Sequence, residues 1–407
     1  MLNYQVSLSS HAIFCAGIVL VLSLFSCENT EEILNQASQA QAAYSESLEQ
    51  FQEEYGGSRE LPAVNFFLFG MGDRPKLLYR RGVLSNVLTG EIIDRWDPVR
   101  EIIIPPEYRV VLHAADDMLV QIREDSAGIW LRQNGETTLI AQSDAPVTLP
   151  SFNEYDHSEV LRVLHQEILV NIIDGAPVPN LFVYNEPWYR DGAMAAMCLA
   201  QTGNLPLLED WITGLRDPYD YNNADEAEAD NLGEVLYLIS LAADSAHPLV
   251  DSVLNEVEQY EVRDSYGTYI RGRTDFNRHP VYQTKWLKFG LEALSMDDPY
   301  YVPLMEDTYS SLFWMGFRGR YLGGNDADDT RNYPYLGWAS DHFHRYKRSP
   351  ISDRPYPLTW EAHASQAEYS GMAVVDTVYA EAGICAPHIW HAAEVFLYLT
   401  DLEALKR

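Results

Sequence analysis

The five residues 187–191, Pro-Trp-Tyr-Arg-Asp, place two aromatic rings, a guanidinium and a carboxyl group directly before a run of small apolar residues. Aromatic rings can stack on the apolar faces of sugars, and carboxylate and guanidinium groups form paired hydrogen bonds with sugar hydroxyls. Trp188 and Tyr189 are therefore predicted to form a sugar platform, Arg190 to orient the ligand and Asp191 to act in catalysis. The simpler alternative is that Asp191 caps a helix and pairs with Arg190.

Further carboxyl groups occur in or beside the loops that precede helical segments. Asp230 falls at the predicted cap of the segment EADNLGEVLYLISL, and Glu234 follows one turn later on the same side. Asp341 lies in the loop NYPYLGWASDHFHRYK. Inverting hydrolysis of a glycosidic bond uses one protonated carboxyl and one carboxylate about 6.5–9.5 Å apart. We predict Asp191, Asp230 and Asp341 as the catalytic candidates, with Glu234 in reserve.

The loop YIRGRTDFNRHPVYQTKW is the most basic part of an acidic chain. Basic groups at an otherwise anionic mouth favour an acidic ligand, such as a uronate or a sulfated sugar, although loops also collect arginines for ordinary ion pairs. His279 and Tyr282 are residue types that polysaccharide lyases use to abstract the C5 proton of a uronate. In the same loop, Lys285 is predicted to orient the ligand and Trp286 to extend the platform.

Trp338 and His342 in the fourth loop, and His388 near the start of the last helical segment, complete the predicted substrate-binding set. No histidine or cysteine spacing completes a zinc pattern, so neither a metal nor another cofactor is predicted. Glu361 stands beside Trp360 in the stretch PLTWEAH. The helical repeat described below assigns that stretch to an outer helix, which excludes it from the predicted site.

The elements that would position these residues change in type along the chain. Residues 61–150 contain short β-rich runs separated by turn residues, with a hairpin signal at Asn134-Gly135, and predict a small β-sandwich or meander. From about residue 155 the apolar period is helical. Four Pro-Leu pairs recur at intervals of about 40 to 55 residues, as expected for helices that begin with proline; the prolines are Pro206, Pro248, Pro303 and Pro357.

Before and between the proline-started helices lie six further helical segments: SEVLRVLHQEILVNII, GAMAAMCLAQTG, NLGEVLYLISLAA, YQTKWLKFGLEAL, GWASDHFHRYK and HIWHAAEVFLYLTDL. Together they form five hairpins, and alternating helices of this kind close naturally into a ring. The predicted fold class is therefore α+β and multidomain, with a small N-terminal β domain followed by an all-α (α/α) toroid of five or six helix hairpins over residues 151–407. An open α-solenoid or an ordinary helical bundle is the alternative. In a toroid, the loops that carry the aromatic and charged residues would open on one face.

This architecture resembles the six-hairpin glycosidase superfamily, whose (α/α) toroids include glucoamylase-like and glucuronyl hydrolase families. The resemblance covers residues 155–407 as architecture, and the element at Pro187–Asp191 is similar to one with which some of these enzymes grip the sugar at the cleavage subsite. In several members a β domain precedes the toroid. The resemblance implies a glycoside hydrolase, without identifying a family within the superfamily.

The N-terminal 27 residues predict export. An apolar run at residues 12–25 has the length of a signal peptide, and Leu24, Phe25, Ser26 and Cys27 resemble a lipobox in which the cysteine is lipidated. Soluble secretion and a membrane-retained segment are the alternatives. Residues 28–60, rich in Glu, Gln, Ser and Ala, predict a helical or partly disordered spacer.

The chain carries 28 Lys+Arg against 60 Asp+Glu, a net charge of −32, which excludes nucleic acid as the partner. This charge fits either a high-salt habitat or simple solubility. After processing, Cys198 and Cys385 would remain in the fold, as one disulfide or as two separate buried thiols.

The sequence therefore predicts an exported, membrane-anchored lipoprotein, periplasmic or at the cell surface, with a carbohydrate ligand and an undetermined oligomeric state. The favoured function is inverting hydrolysis of a polysaccharide or oligosaccharide, an acidic one being an option. The alternatives are a polysaccharide lyase acting on a uronate polymer and a non-catalytic glycan-binding surface lipoprotein.

Overall fold

The computed structural model describes residues 30–55, 59–143, 145–303, 305, 351–364 and 367–406. The first element is helix α1 (Thr30–Tyr55), which lies against strand β5 (Pro98–Ile104). Tyr44, Leu48 and Phe51 of this helix are buried in the main core. The helical structure predicted for this segment is confirmed, but the spacer role is wrong, because the helix is an integral part of the folded protein.

Two antiparallel meanders follow within residues 59–143: a four-stranded sheet in the order β1-β2-β3-β4 and a five-stranded sheet in the order β5-β6-β7-β8-β9. The strands are β1 (Phe66–Phe69), β2 (Leu77–Arg80), β3 (Val83–Asn86), β4 (Ile92–Arg95), β5, β6 (Arg109–Ala114), β7 (Leu119–Glu124), β8 (Ile129–Gln133) and β9 (Glu136–Ala141). The predicted hairpin at Asn134-Gly135 is confirmed, since Gln133 pairs with Glu136 across it. Both turn residues have positive φ, 53° and 78°, as a two-residue hairpin turn requires.

The rest of the described chain is mainly helical. The helices are α2 (Ser158–Val170), α3 (Tyr189–Thr202), α4 (Glu209–Thr213), α5 (Asn231–Ala242), α6 (Pro248–Val257), α7 (Pro280–Ala293), α8 (Thr377–Glu381) and α9 (Ile389–Lys406). Short 3-10 helices occur at Pro105–Glu107, Leu205–Leu208, Glu258–Tyr260 and Tyr369–Val374. Three small antiparallel pairs connect helices: β10 (Ile172–Ile173) with β11 (Ala176–Pro177), β12 (Glu261–Arg263) with β13 (Thr268–Ile270), and β14 (Glu361–Ala362) with β15 (Ile384–Cys385).

The longer helices contact one another in the order α2, α9, α3, α5 and α7, while α4 and α6 each contact α5. Helix α5 is buried on all sides from Asn231 to Ile239, which is typical of a helix inside a core. Its Gly233 lies so close to α7 that an added Cβ would come within 2.2 Å of the Trp286 backbone carbon. A sheet region followed by packed helices confirms the α+β fold, and the closed toroid stays a prediction.

The proline repeat is only partly correct. Pro248 begins α6 as predicted, and Pro206 lies in the first turn of a 3-10 helix that leads into α4. Pro357 does not begin a helix, because the buried Glu167 carboxylate accepts hydrogen bonds from the backbone N–H groups of Leu358 and Thr359 at 2.5 and 3.1 Å. These bonds hold the backbone extended as it enters β14. The helix predicted over PLTWEAH is therefore wrong.

The helix predicted to follow Pro303 and the one predicted in the fourth loop lie outside the described residues, as do the apolar N-terminal run and Cys27. Among the helices that are described, none combines the length and apolarity needed to cross a bilayer.

Candidate active site

A pocket with a volume of about 160 Å³ opens where the start of α3, the start of α9 and strand β14 meet. Aromatic, acidic and basic side chains share its wall. Its lining residues are Pro179, Tyr184, Trp188, Arg190, Asp191, Asp275, Glu361, Ala364, His388, Trp390 and His391.

The start of α3 leaves Asp191 available to the pocket. Helix α3 begins at Tyr189, and the free backbone N–H of Tyr189 donates to the Asp220 carboxylate at 2.8 Å. Asp191 therefore has no capping role, and the capping alternative from the sequence is wrong. Its side chain is buried, with the residue 4% exposed, and its Oδ1 atom has no hydrogen-bond partner among the described residues.

Burial raises the pKa of Asp191 to about 7, and the negative charges of Asp220 and Asp275 act in the same direction. The Arg190 guanidinium opposes this rise. Asp191 therefore holds its proton near neutral pH, which is the condition that a carboxyl group must meet to act as a general acid.

Arg190 pairs with carboxylates other than its neighbour. Its guanidinium lies 3.1 Å from Asp275 and 3.3 Å from Asp230. The same group lies over the rings of Trp188 and Trp390, 5.8 and 5.9 Å from their centroids. Arg190 therefore links three parts of the pocket wall, and it is not the ion-pair partner of Asp191 that the simpler alternative required.

Asp230 and Glu234 lie behind this arginine, both fully buried. Asp230 accepts a hydrogen bond from Thr274 at 2.7 Å in addition to its Arg190 pair, and its side chain does not cap α5. Glu234 accepts from Asn231 at 3.1 Å and from the Tyr282 hydroxyl at 3.3 Å. Neither carboxyl lines the described pocket, and their role as catalytic groups stays a prediction.

Glu361 supplies a second carboxyl group to the pocket. Strand β14 ends the irregular segment after Pro357, and its pairing with β15 sets Glu361 opposite Cys385. The Glu361 carboxylate accepts hydrogen bonds from the Tyr184 hydroxyl at 3.0 Å, the Tyr369 hydroxyl at 2.7 Å and the Cys385 thiol at 3.4 Å. Burial and the neighbouring Glu361 raise the pKa of both tyrosines, so they remain protonated donors that fix the carboxylate.

Two histidines at the start of α9 have opposite environments. His388 is 7% exposed, and its Nδ1 atom has no hydrogen-bond partner in the described part of the chain. Burial, His391 and Arg190 lower the pKa of His388, so it is neutral. Burial also lowers the pKa of His391, but Glu394 outweighs that effect and the pKa is raised overall. The Glu394 carboxylate lies 2.8 Å from His391 Nδ1 and accepts from the Trp390 indole at 2.6 Å, which fixes both rings.

A possible metal-ligand set lies at the same end of the pocket. One ligand atom each from Glu361, Cys385 and His388 lies within 4.8 Å of the other two. Among the described residues, Cys198 and Cys385 are two separate buried thiols rather than one disulfide, which is one of the two alternatives that the sequence left open.

The pocket brings together four residues of the predicted site: Trp188, Arg190, Asp191 and His388. Two predicted platform rings are not part of it. The Tyr189 hydroxyl donates to the Asp217 carbonyl at 3.0 Å, away from the pocket. Trp286 is fully buried beside Tyr237 and cannot present a face to a sugar. The prediction of these two residues as a platform is therefore wrong.

The third-loop candidates are also displaced from the pocket. His279, Tyr282 and Lys285 are buried at the start of α7, which packs along α5, and none of them lines the described pocket. The arginines of this loop point to solvent at positions 271, 273 and 278. The ligand-binding roles of His279, Tyr282 and Lys285 stay predictions. Trp338, Asp341 and His342 lie outside the described residues.

Five aromatic or polar residues that line the pocket were not predicted as site residues: Tyr184, Asp275, Glu361, Trp390 and His391. Asp275 lies in the basic loop, where the surrounding arginines drew attention away from it, and Tyr184 lies in a loop with no distinctive pattern. Glu361 carried a usable signal in its neighbour Trp360, but the incorrect repeat placed it on an outer helix. Trp390 and His391 lie at the start of α9, next to the predicted His388.

Comparisons with protein-family models, curated proteins and solved structures found no match to this chain. The functional assignment therefore depends on the geometry of the pocket.

Proposed function

We propose that this protein is a glycoside hydrolase in which Asp191 is the general acid and Glu361 the general base. The observation that carries the proposal is the buried Asp191 carboxyl, which has an unpaired Oδ1 atom and a pKa raised to about 7 in the same pocket as Glu361. Paired carboxyl groups in unlike environments are the usual machinery for breaking a glycosidic bond.

In the proposed reaction Asp191 donates its proton to the glycosidic oxygen as the bond to the anomeric carbon breaks. A water molecule attacks that carbon from the opposite face, and Glu361 takes its proton. The product is a sugar of inverted anomeric configuration. Support for two separate roles comes from their positions on α3 and β14 and from the absence of a shared hydrogen bond between them among the described contacts.

The aromatic wall suits a sugar ring. The Arg190 guanidinium contacts both the Trp188 ring and the Trp390 ring. Ion pairs with Asp275 and Asp230 hold the guanidinium in place. Rings fixed in this way provide stacking surfaces at a low cost in side-chain entropy. A pocket lined by such rings and a few polar groups is typical of sites that bind small organic molecules.

The charges of the pocket favour a neutral glycan over the acidic one suggested by the sequence. Asp275 and Glu361 line the described pocket beside the protonated Asp191, and the Arg190 guanidinium is already paired with three carboxylates, those of Asp275, Asp230 and Glu228. A uronate carboxylate would have to enter a region that is rich in negative charge. We expect neutral oligosaccharides to be preferred for this reason.

The toroid and the cellular location remain parts of this proposal. The order of helix contacts, α9, α3, α5 and α7 with α4 and α6 against α5, is what successive hairpins of a ring would produce. The predicted signal peptide and Cys27 lipobox would place the enzyme at a membrane surface outside the cytoplasm.

A substrate screen tests this function. The full chain would be incubated with neutral and acidic oligosaccharides, and new reducing ends and ultraviolet absorbance would be read in parallel. We expect reducing ends without absorbance, and their loss in Asp191→Asn and Glu361→Gln but not in the exposed control variants Asp210→Asn and Glu381→Gln. An unsaturated, absorbing product would instead identify a lyase, and binding without any product would identify a glycan-binding protein.

A further inference from the structure

We infer that Glu361, Cys385 and His388 form a binding site for a divalent metal ion of the zinc class. This inference concerns metal binding and goes beyond the proposed hydrolysis of glycosides. A carboxylate, a thiolate and an imidazole are the three side-chain types that bind Zn²⁺, and a set of three protein ligands leaves a fourth position open.

The local fold brings the three ligands together. The pairing of β14 with β15 sets Glu361 opposite Cys385, and His388 follows three residues later where α9 begins. One ligand atom from each side chain lies within 4.8 Å of the other two. Zinc bonds are about 2.0–2.3 Å long, so small side-chain rotations would bring all three atoms into one coordination sphere.

An unsatisfied atom provides an independent indication of a ligand. His388 is 7% exposed and lines the pocket, and its Nδ1 atom has no hydrogen-bond partner among the described residues. A buried polar atom without a partner is destabilising, so such atoms call for a specific explanation. A metal ion bound at Nδ1 would supply the missing partner of this atom.

The surroundings are those of a supported metal site. The hydroxyls of Tyr184 and Tyr369 donate to Glu361 and would fix its orientation as a ligand, as outer groups commonly do at metal centres. The nearby Arg190 charge is balanced by Asp275 and Asp230 at 3.1 and 3.3 Å. Cys385 is fully buried, whereas Glu361 and His388 line the pocket, so the open coordination position would face the pocket.

Binding of the metal ion would release one proton from the protein. The Cys385 thiol now donates to Glu361, and metal binding replaces that S–H bond with a metal–sulfur bond and releases the proton to solvent. The bound ion would also occupy the carboxylate that the proposed hydrolase uses as its base. Zn²⁺ is therefore expected to inhibit glycoside hydrolysis by competing for Glu361.

Cobalt titration of the full chain tests the site directly. Co²⁺ bound to a cysteine thiolate gives a charge-transfer band in the near ultraviolet, and visible bands of high intensity report tetrahedral geometry. We expect both in the wild type. We expect the charge-transfer band to be lost in Cys385→Ser and kept in the matched variant Cys198→Ser, whose thiol lies in α3 and contacts the Ala393 carbonyl at 3.8 Å.

A second variant covers the case in which Cys385→Ser does not fold. His388→Gln should keep the charge-transfer band but weaken Co²⁺ and Zn²⁺ affinity by at least about tenfold, as loss of one ligand requires. Calorimetry with Zn²⁺ in two buffers of different ionisation enthalpy should report one proton released per ion. A wild type that binds no Co²⁺, or a band that persists unchanged in folded Cys385→Ser, would overturn the inference. These readouts are independent of hydrolysis, so each proposal can fail separately.

Discussion

At the scale of single residues, two carboxyl groups of one pocket differ in what surrounds them. Asp191 is buried, and its Oδ1 atom has no hydrogen-bond partner among the described residues, whereas Glu361 accepts hydrogen bonds from two tyrosines and a thiol. Burial without hydrogen-bond donors stabilises the neutral form of a carboxyl group, as at Asp191. These surroundings support the proposed roles of Asp191 as the acid and Glu361 as the base.

The first prediction concerns the pH dependence of activity. Because the pKa of Asp191 is about 7 and the general acid must be protonated, kcat/KM should fall as the pH rises above that value. Asp191→Asn should lower kcat/KM by about 10²–10⁴-fold at the optimum. The check is a kcat/KM profile for the wild type, Asp191→Asn and the control Asp210→Asn. A wild-type profile that keeps rising well above neutral pH would contradict the assignment.

The second prediction concerns folding stability. The folded pKa of Asp191, about 7, lies above the unfolded value of 3.8, so the folded state holds the extra proton between these values. The resulting stabilisation is complete below pH 3.8 and is lost as the pH rises through 7. From about pH 5 to pH 8, the free energy of unfolding of the wild type should fall by up to about 3 kcal/mol more than that of Asp191→Asn. Urea denaturation measures this difference, and parallel pH dependences would refute it.

Residue types alone identified part of the site. The residues Trp188, Arg190 and Asp191 were found because rings and charges were concentrated beside an apolar helix, which is a local signal. The direction in which each side chain points is not a local signal. Trp188 and Tyr189 are neighbours, yet Trp188 lines the pocket and the Tyr189 hydroxyl donates to the Asp217 carbonyl. Asp275 had no signal of its own, since its role comes from the Arg190 that reaches it across the fold.

At the scale of elements, Arg190 connects helix α3 to the cap of α5 and to the loop before α7. It lies 3.3 Å from Asp230 and 3.1 Å from Asp275, and Asp230 also accepts from Thr274. The pocket wall is therefore fixed by one buried cation among several carboxylates. Removing that cation would leave Asp230 buried without its charge partner, which is a large penalty.

The third prediction follows from this arrangement. Arg190→Met should lower the free energy of unfolding by about 3–5 kcal/mol, because it breaks a buried ion pair. The exposed pair of Arg273 with Glu226, at 3.6 Å, provides the control, and Arg273→Met should cost less than about 1 kcal/mol. Urea denaturation of the two variants compares them. Equal losses would show that Arg190 does not organise the wall.

Elements with a strong apolar period were predictable, and those held by distant contacts were not. The predicted helices at α2, α3, α5, α6, α7 and α9 are all present. The stretch after Pro357 carries a similar helical pattern, yet Glu167 on α2 binds its backbone and keeps it extended. The local sequence pattern gives no information about a hydrogen bond to a residue so distant in the chain. The incorrect helix prediction therefore excluded Glu361 from the predicted site.

At the scale of the whole molecule, the order of a sheet region followed by helices was predictable. The spacing of apolar residues is typical of strands in the first region and of helices in the second. The position of α1 was not. Its composition suggested a spacer, but Tyr44, Leu48 and Phe51 are buried against the rest of the fold. Their burial depends on the main core, and Ile33 and Leu34 at the start of α1 pack with Ile102 and Ile104 of β5. These partners of α1 lie well beyond it in the sequence. The composition of α1 alone therefore could not predict that it packs against the rest of the fold.

The fourth prediction concerns the net charge of −32. Self-repulsion among surface carboxylates opposes the compact state, and salt screens it. Raising NaCl from about 0.05 M to about 0.5 M shortens the screening length severalfold and should raise Tm by several degrees. Thermal denaturation across this range is the measurement. A Tm that is unchanged or lower at the higher salt would mean that the charge is already balanced locally.

The central claim is that Asp191 and Glu361 together hydrolyse a glycosidic bond. The most direct test is a proton NMR time course of a neutral oligosaccharide with the wild type, Asp191→Asn and Glu361→Gln, which identifies the first anomer formed. We predict a new reducing end of inverted configuration with the wild type and almost none with either variant. Hydrolysis that proceeds unchanged in both variants, or no hydrolysis by the wild type of any oligosaccharide that it binds, would contradict the account.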